Sequence, residues 1–200
     1  MHPVAILTPS FNRGSTLPRL YQSLVNQSCK DFVWLIVDDG SQDGTSMLVQ
    51  NWIEQALLDI RYVYQCNGGK ARALNAGFNY LNEVTLIVVV DSDDWLLSDA
   101  VQTFYDYLAS YSEISDLGGF FFQYKDTGGH LLASKKTLDQ PTLLNRYQFN
   151  KVYGKFDGCN CYHRRTFSQL RYPEFEGENY VGPTVLQLQM ATEGLKMLFS

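Results

Sequence analysis

Apolar residues in this chain follow two rhythms that alternate along its first half. Short continuous runs, Val4-Ala5-Ile6-Leu7-Thr8, Phe32 to Val37, Ile60 to Tyr64 and Leu86 to Val90, are bounded by polar stretches. Such runs are the mark of strands buried on both faces of a parallel sheet. Between them the spacing lengthens to three and four. Leu17, Leu20, Tyr21, Leu24 and Val25 outline one helix, with Ser15 or Thr16 placed to cap it and Pro18 tolerated in its first turn. Val49, Trp52, Ile53, Ala56 and Leu57 outline a second, and Ala71, Leu74, Phe78 and Leu81 a third. Strands alternating with helices imply right-handed crossovers and a largely parallel sheet over residues 1–115.

The second half reads differently. Gly118 to Lys125 (with Phe120, Phe121, Phe122 and Tyr124), the Asp126-Thr127-Gly128-Gly129 turn and Leu131-Leu132-Ala133 suggest a hairpin or meander, its aromatics assigned to the core. Val185 to Phe199 reads as an amphipathic helix broken off without a downstream partner, which gives the chain the look of a fragment. No repeat, low-complexity tract or linker divides it, so 200 residues are expected to fold as one α/β domain with a core of its own.

Charge narrows the function classes. The 16 basic and 21 acidic side chains leave a formal net charge of −5, which argues against a general nucleic-acid or anionic-membrane surface. The four cysteines (Cys29, Cys66, Cys159, Cys161) are scattered apart from one C-x-C pair. With no secretory leader before the first strand, a reduced cytosol is the expected compartment. Cys159 and Cys161 with His163 make a poor zinc set, and no run reaches the roughly 18 to 20 apolar residues that span a bilayer.

The chemistry concentrates at strand exits. Asp91, Asp93 and Asp94, with Asp99 just beyond, follow the run Leu86 to Val90. In an open α/β sheet ligands bind beyond the carboxyl ends of the strands, so Asp91 and Asp93 are placed to share a divalent cation there. Alone, an Asp-x-Asp is equally a solvated turn capping the next helix. Two further exits, Thr8 to Gly14 and Asp38 to Gly44, are expected on the same edge. Gly68-Gly69-Lys70-Ala71-Arg72 with Asn75 adds two cations at a helix start, where exposed N–H groups favour phosphate.

Four segments in order and spacing carry a family likeness: Val4 to Arg13; Leu35-Ile36-Val37-Asp38-Asp39-Gly40-Ser41 with Asp43-Gly44-Thr45; Gly69 to Gly77; and Asp91-Ser92-Asp93-Asp94-Trp95. Together they resemble the inverting family 2 glycosyltransferases of GT-A fold. That resemblance implies a mostly parallel central sheet with helices on both faces, a nucleotide-sugar-binding half (1–115) and a smaller mixed or antiparallel acceptor-side half (116–200). It implies transfer of a sugar, hexosyltransferase-like, from a UDP-sugar to an acceptor hydroxyl, with Mn²⁺ or Mg²⁺ as cofactor. Thr8, Pro9, Phe11 and Asp39 would hold the base, Lys70 and Arg72 would lie near the nucleotide, Asp91 would face the ribose or a metal-bound water, and Ser92 would belong to the nucleotide-sugar site. Asp93, with Asp91, would hold the metal on the diphosphate. Asp94 would face the donor sugar or acceptor.

The catalytic base is the open assignment. Relatives of this pattern often carry a further acid where this chain has Pro183, which leaves Asp94, Asp157, Glu176 and Glu178 as the candidates, Glu178 and Asp157 ranked first. The same likeness implies a saccharide or lipid-linked saccharide acceptor, a role in polysaccharide synthesis, and peripheral attachment at the inner membrane face. Two other classes compete: a nucleotide-sugar-binding module without turnover, and a receiver-like phospho-acceptor domain. The latter does not require Asp39-Gly40-Ser41 or Gly69-Lys70-Ala71-Arg72.

Overall fold

Burial on both faces selects the strands at the centre of the sheet. The computed structural model describes residues 2–132, 138–154, 157–178 and 181–200. The runs read as doubly buried become β1 (Val4–Ser10), β2 (Val33–Asp38) and β4 (Leu86–Val89), every residue of which is buried. With β3 (Asp59–Tyr64) they pair in parallel in the order β3-β2-β1-β4. The helices that join them are α1 (Leu17–Val25), α2 (Thr45–Gln55) and α3 (Lys70–Tyr80). Chain order runs outward from β1 through β2 to β3 and then returns to β4 on the other side of β1. That reversal splays the loops after β1 and β4 apart and opens a crevice at their carboxyl ends.

Alternation along each strand divides the core into two layers. Val4, Ile6, Trp34, Ile36 and Val88 face α1, α2 and α4 (Ala100–Tyr111), while Ala5, Leu7, Leu35, Val37 and Ile87 face α3. In the first layer Tyr21 stacks on Trp52 at 4.3 Å, with Trp34 alongside at 5.9 Å from Trp52. Ala56 adopts a left-handed conformation at the end of α2, so Leu57, expected to continue the helix, lies beyond it and is exposed. Thr16 occupies the N-cap of α1 without a side-chain capping bond.

The second half extends the same sheet. β5 (Leu117–Gln123), β6 (Thr142–Leu144), β7 (Gly158–His163) and β8 (Lys196–Phe199) continue it in the order β4-β7-β5-β8-β6. β7 is antiparallel to both β4 and β5, β8 parallel to β5, and β6 antiparallel to β8. α5 (Arg146–Tyr153), α6 (Arg164–Phe167) and α7 (Thr184–Thr192) complete it, and Phe149, Phe167, Leu186 and Met190 add to the α3 layer.

Two expectations change here. Val185 to Phe199 is not one helix: Gly194 takes φ +76° after α7, and Lys196–Phe199 then enters the sheet between β5 and β6. Residues 118–132 do not form a full hairpin either. β5 pairs with β7 and β8, and among the described residues the return segment meets the chain just past β5 through one antiparallel bridge, Lys125 with Leu131, around the expected 126–129 turn. Ala133 lies outside the described residues. Among the described residues no helix is long and apolar enough to cross a membrane.

The β5–β7 pairing leaves no room for side chains at its closest approach. A Cβ on Gly119 would lie 2.1 Å from the carbonyl oxygen of Cys161, and one on Gly158 would lie 2.4 Å from that of Phe122. Gly119→Ala must therefore push the strands apart. It is expected to lower unfolding stability by about 2 kcal/mol, read as a shift in the urea midpoint; an unchanged midpoint would contradict this packing.

Candidate functional site

At the reversal between β1 and β4 the chain encloses a cavity of about 240 Å³ lined by Pro9, Ser10, Phe11, Arg13, Asp39, Lys70, Ala73, Asp91, Ser92 and Asp93. Four stretches far apart in sequence thus meet at one strand edge. The loops after β1 and β2 are laced together: Asn12 N–H donates to Ser41 Oγ at 2.7 Å, Gly14 N–H to Asp43 Oδ2 at 2.9 Å, and Gln42 N–H to Asn12 Oδ1 at 2.8 Å. Asn12 itself takes φ +53°, a left-handed conformation that asparagine tolerates better than most residues.

Asp39 is the buried centre of the wall. Its Oδ1 accepts from Gln65 Nε2 at 2.7 Å and Gly68 N–H at 2.9 Å, and its Oδ2 accepts from Gly69 N–H at 2.7 Å. A carboxylate only 3% exposed requires such donors, because a buried charge without them is strongly disfavoured. The expectation that the amides at the head of α3 stand open for phosphate is therefore corrected for Gly68 and Gly69, whose N–H groups are engaged by Asp39. Lys70, the next residue, reaches Asp91 Oδ2 at 2.6 Å.

Beyond β4 the acidic turn closes with Asp94 N–H on the Asp91 carbonyl at 3.0 Å. Arg19 of α1 stacks its guanidinium 4.2 Å over the Trp95 ring and donates to the Asp93 carbonyl, steadying the turn from outside. Asp94 is half-buried. Burial first, and then the fields of Asp91, Asp93 and Asp157, raise its carboxyl above the usual carboxylate range, opposed by a hydrogen bond from Tyr124. Its own burial, and then the neighbouring Cys159, Asp94 and Asp91, push the Tyr124 phenol well up. Asp157 is bound into this corner through its carbonyl, which accepts from Tyr124 N–H at 3.3 Å, and its side chain accepts from Gly158 N–H at 3.0 Å.

Pro9, Phe11, Asp39, Lys70, Asp91, Ser92 and Asp93 all reach the cavity, and Asp94 and Asp157 share the acidic corner beside it. Two expected residues do not line it. Thr8 is wholly buried on the other side of β1, its Oγ1 accepting from Trp34 Nε1 at 3.0 Å, because strand alternation turns its side chain into the α1–α2 layer. Arg72 is drawn away to the segment after α6, pairing with Glu174 at 3.4 Å and donating to the Phe175 carbonyl at 3.3 Å. Glu176 and Glu178 stand exposed farther along that segment, which has no strand pairing of its own. Pro183 is the N-cap of α7.

Ser10, Arg13 and Ala73 line the cavity without having been singled out as site residues. Ser10 Oγ is buried and, among the described residues, has no hydrogen-bond partner. Tyr124 was legible only as a core aromatic.

The carboxylates suit a hard cation. Among the described residues no three His, Cys, Asp or Glu side chains converge as a ligand set, so Asp91 and Asp93 would supply two carboxylates and no third side chain. Mn²⁺ or Mg²⁺, which keeps waters and takes phosphate oxygens in its remaining positions, fits such a partial set. Cys159 and Cys161, 3.9 Å apart at sulfur on one face of β7, are buried away from solvent, and His163 uses Nδ1 to cap α6.

Tyr124→Phe removes a hydrogen bond that lowers the Asp94 carboxyl, so the Asp94 pKa is expected to rise further. Carboxyl-detected carbon NMR titration of the two forms measures it; an equal or lower value in the variant would contradict the pairing.

Comparison with known proteins adds a separate line. The profile of Glycosyl transferase family 2 matches residues 5–171. Glycosyltransferase GlyA of Streptococcus pneumoniae is 26% identical over 187 residues, covering 84% of this chain and 25% of its own length. The crystal structure of S. aureus TarS 1-349 in complex with UDP-GlcNAc superposes with a TM-score of 0.75 at 18% identity, over 100% of this chain and 56% of that one. Mannosyltransferase PcManGT from Pyrobaculum calidifontis, in complex with GDP-Man and Mn2+, gives 0.69 at 19% identity, over 99% and 56%. This chain therefore spans about a quarter of GlyA and just over half of each structural neighbour. With the sheet order and the profile match in agreement, the chain has the GT-A fold and belongs to glycosyl transferase family 2.

Proposed function

We propose that the chain carries the donor site of a metal-dependent glycosyltransferase that moves a sugar from a nucleotide-sugar, UDP-linked, to an acceptor hydroxyl with inversion. The observation that carries the reading is the meeting of Pro9–Phe11, Asp39, Lys70 and Asp91–Asp93 around one cavity. The relatives' bound UDP-GlcNAc and GDP-Man support a nucleotide-sugar as the ligand class.

In this reading Pro9, Ser10 and Phe11 take the base, with Asp39 offering the acceptor capacity its loop bonds leave unused. Lys70 and Arg13 supply fixed positive charge for the diphosphate. A divalent cation bound between Asp91, Asp93 and the diphosphate would supply Lewis-acid stabilisation of the departing nucleoside diphosphate. The attacking hydroxyl enters from the acceptor-side half, and a single in-line displacement at the anomeric carbon inverts it. Its proton passes to a carboxylate, Asp157, Glu178 or Asp94. Asp157 and Asp94 already share the acidic corner that borders the donor cavity, whereas Glu178 lies on the segment that α3 holds. The acceptor is a saccharide hydroxyl, free or lipid-linked.

Calorimetry with UDP and Mn²⁺ is expected to show binding that Asp93→Ala weakens roughly 100-fold, the scale of several kcal/mol for a lost metal contact. Metal-dependent binding left intact in that variant would remove Asp93 from the metal site. Manganese-dependent release of UDP from a UDP-sugar separates turnover from a binding module. Asp157→Asn and Glu178→Gln are then assayed in parallel, the true base losing turnover with donor affinity retained; full activity in both would overturn that ranking and leave Asp94 and Glu176.

A further inference from the structure

We infer that Asn75 and Arg72 are positioning residues that tie the segment after α6 to the donor cavity, so that nucleotide binding orders the acceptor-side chain. The inference rests on the nucleotide reading above and extends it to residues that do not line the cavity.

Asn75 is 7% exposed and spends its whole amide on one short stretch. Its Oδ1 accepts from Tyr172 N–H at 2.9 Å, and its Nδ2 donates to the Tyr172 carbonyl at 2.9 Å and to Glu174 Oε1 at 2.7 Å. A side chain that closes on both backbone groups of one residue replaces the strand partner this irregular segment lacks. One helical turn earlier, on the same face of α3, Arg72 pairs with Glu174 and donates to the Phe175 carbonyl. Tyr172 is anchored beneath, its hydroxyl 2.9 Å from that of Tyr162 and its ring stacked on Phe78. Residues 173–178 therefore leave a point whose position is set by α3.

The head of the same helix is set by the cavity. Gly68 and Gly69 N–H groups hold Asp39, and Lys70 holds Asp91. A base bonded to Asp39 and a diphosphate beside Lys70 would each act on the first turn of α3, and Arg72 folds back to the Gly68 carbonyl at 3.4 Å. A helix turn moves as a unit, so a pull at Gly68–Lys70 reaches Arg72 and Asn75 and through them Tyr172 to Phe175. Arg72 thus has a task that its place beside the phosphate-like loop conceals.

Hydrogen exchange with mass spectrometry tests this on the full chain, with UDP and Mn²⁺ as the probe. UDP is expected to slow exchange of amides 172–178 about five-fold in the parent, the lower end of ordinary site-to-site coupling. Asn75→Ala is expected to abolish that slowing, and Glu174→Ala, a change on an exposed side chain, to reduce it, while the UDP dissociation constant moves by less than about two-fold. UDP binding without slowing in the parent overturns the inference alone, as does slowing that persists undiminished in the variants. If Asn75→Ala does not fold, Glu174→Ala decides by itself. Failure of the parent to bind UDP overturns the nucleotide reading and the inference with it.

Discussion

A buried carboxylate organises the donor side of this molecule. Asp39 stands at the end of β2 with almost no solvent, so its charge is tolerable only while three donors converge on it. Two of those donors are consecutive backbone amides, which confines residues 65–69 to one path. The path is narrow: Gly40 takes φ +90° with its α-carbon face against Asn67, where a Cβ would stand 3.0 Å from the Asn67 nitrogen. Gly69 takes φ +90° as the chain turns into α3. With the loop so held, Lys70 emerges facing Asp91 across the crevice, and the exits of β2 and β4 are joined through the start of one helix.

That geometry leaves the cavity acidic. Asp39, Asp91 and Asp93 face Arg13 and Lys70, and each cation and acid has prior commitments: Lys70 to Asp91, Asp39 to its loop. A diphosphate would bring further negative charge into a site with no spare cation among its lining residues beyond Arg13. In the proposed reading, a divalent ion arriving with the ligand would offset that charge. Burial first, and then the same crowding of acids, explains why Asp94, one residue past the pair, keeps its proton to higher pH than an ordinary carboxylate.

Much of this was legible along the chain, and the losses have physical causes. Doubly buried strands announce themselves as unbroken apolar runs, so β1, β2 and β4 and the polar loops after them could be placed, and with them the cavity. Side-chain direction was harder. Thr8 sits inside a loop-like motif yet belongs to the strand by register, and period-two alternation sends it to Trp34. Arg72 belongs to a motif that looks phosphate-directed, but its partner, Glu174, lies about a hundred residues later, a contact that no local pattern encodes. Val185 to Phe199 was misread because Leu186, Met190, Met197 and Phe199 are all buried in one layer, and only Gly194 marks the change from helix to strand.

The two halves of the sheet are also held by different means, which bears on what each can do. On the donor side the loops are bonded largely through backbone amides and short polar side chains, Asp39 to Gly68 and Gly69, Asn12 to Gln42 and Ser41. Backbone donors survive most substitutions, so such a site keeps its shape while sequences diverge. Residues 172–178, by contrast, show no strand pairing and are tied to α3 by Asn75 and Arg72, two side chains on one helix face. Contacts of that kind change with single substitutions. A fold built this way can hold the cavity beyond β1 and β4 constant and vary the segment after α6, which is where functional diversity in loop-borne sites is expected to reside.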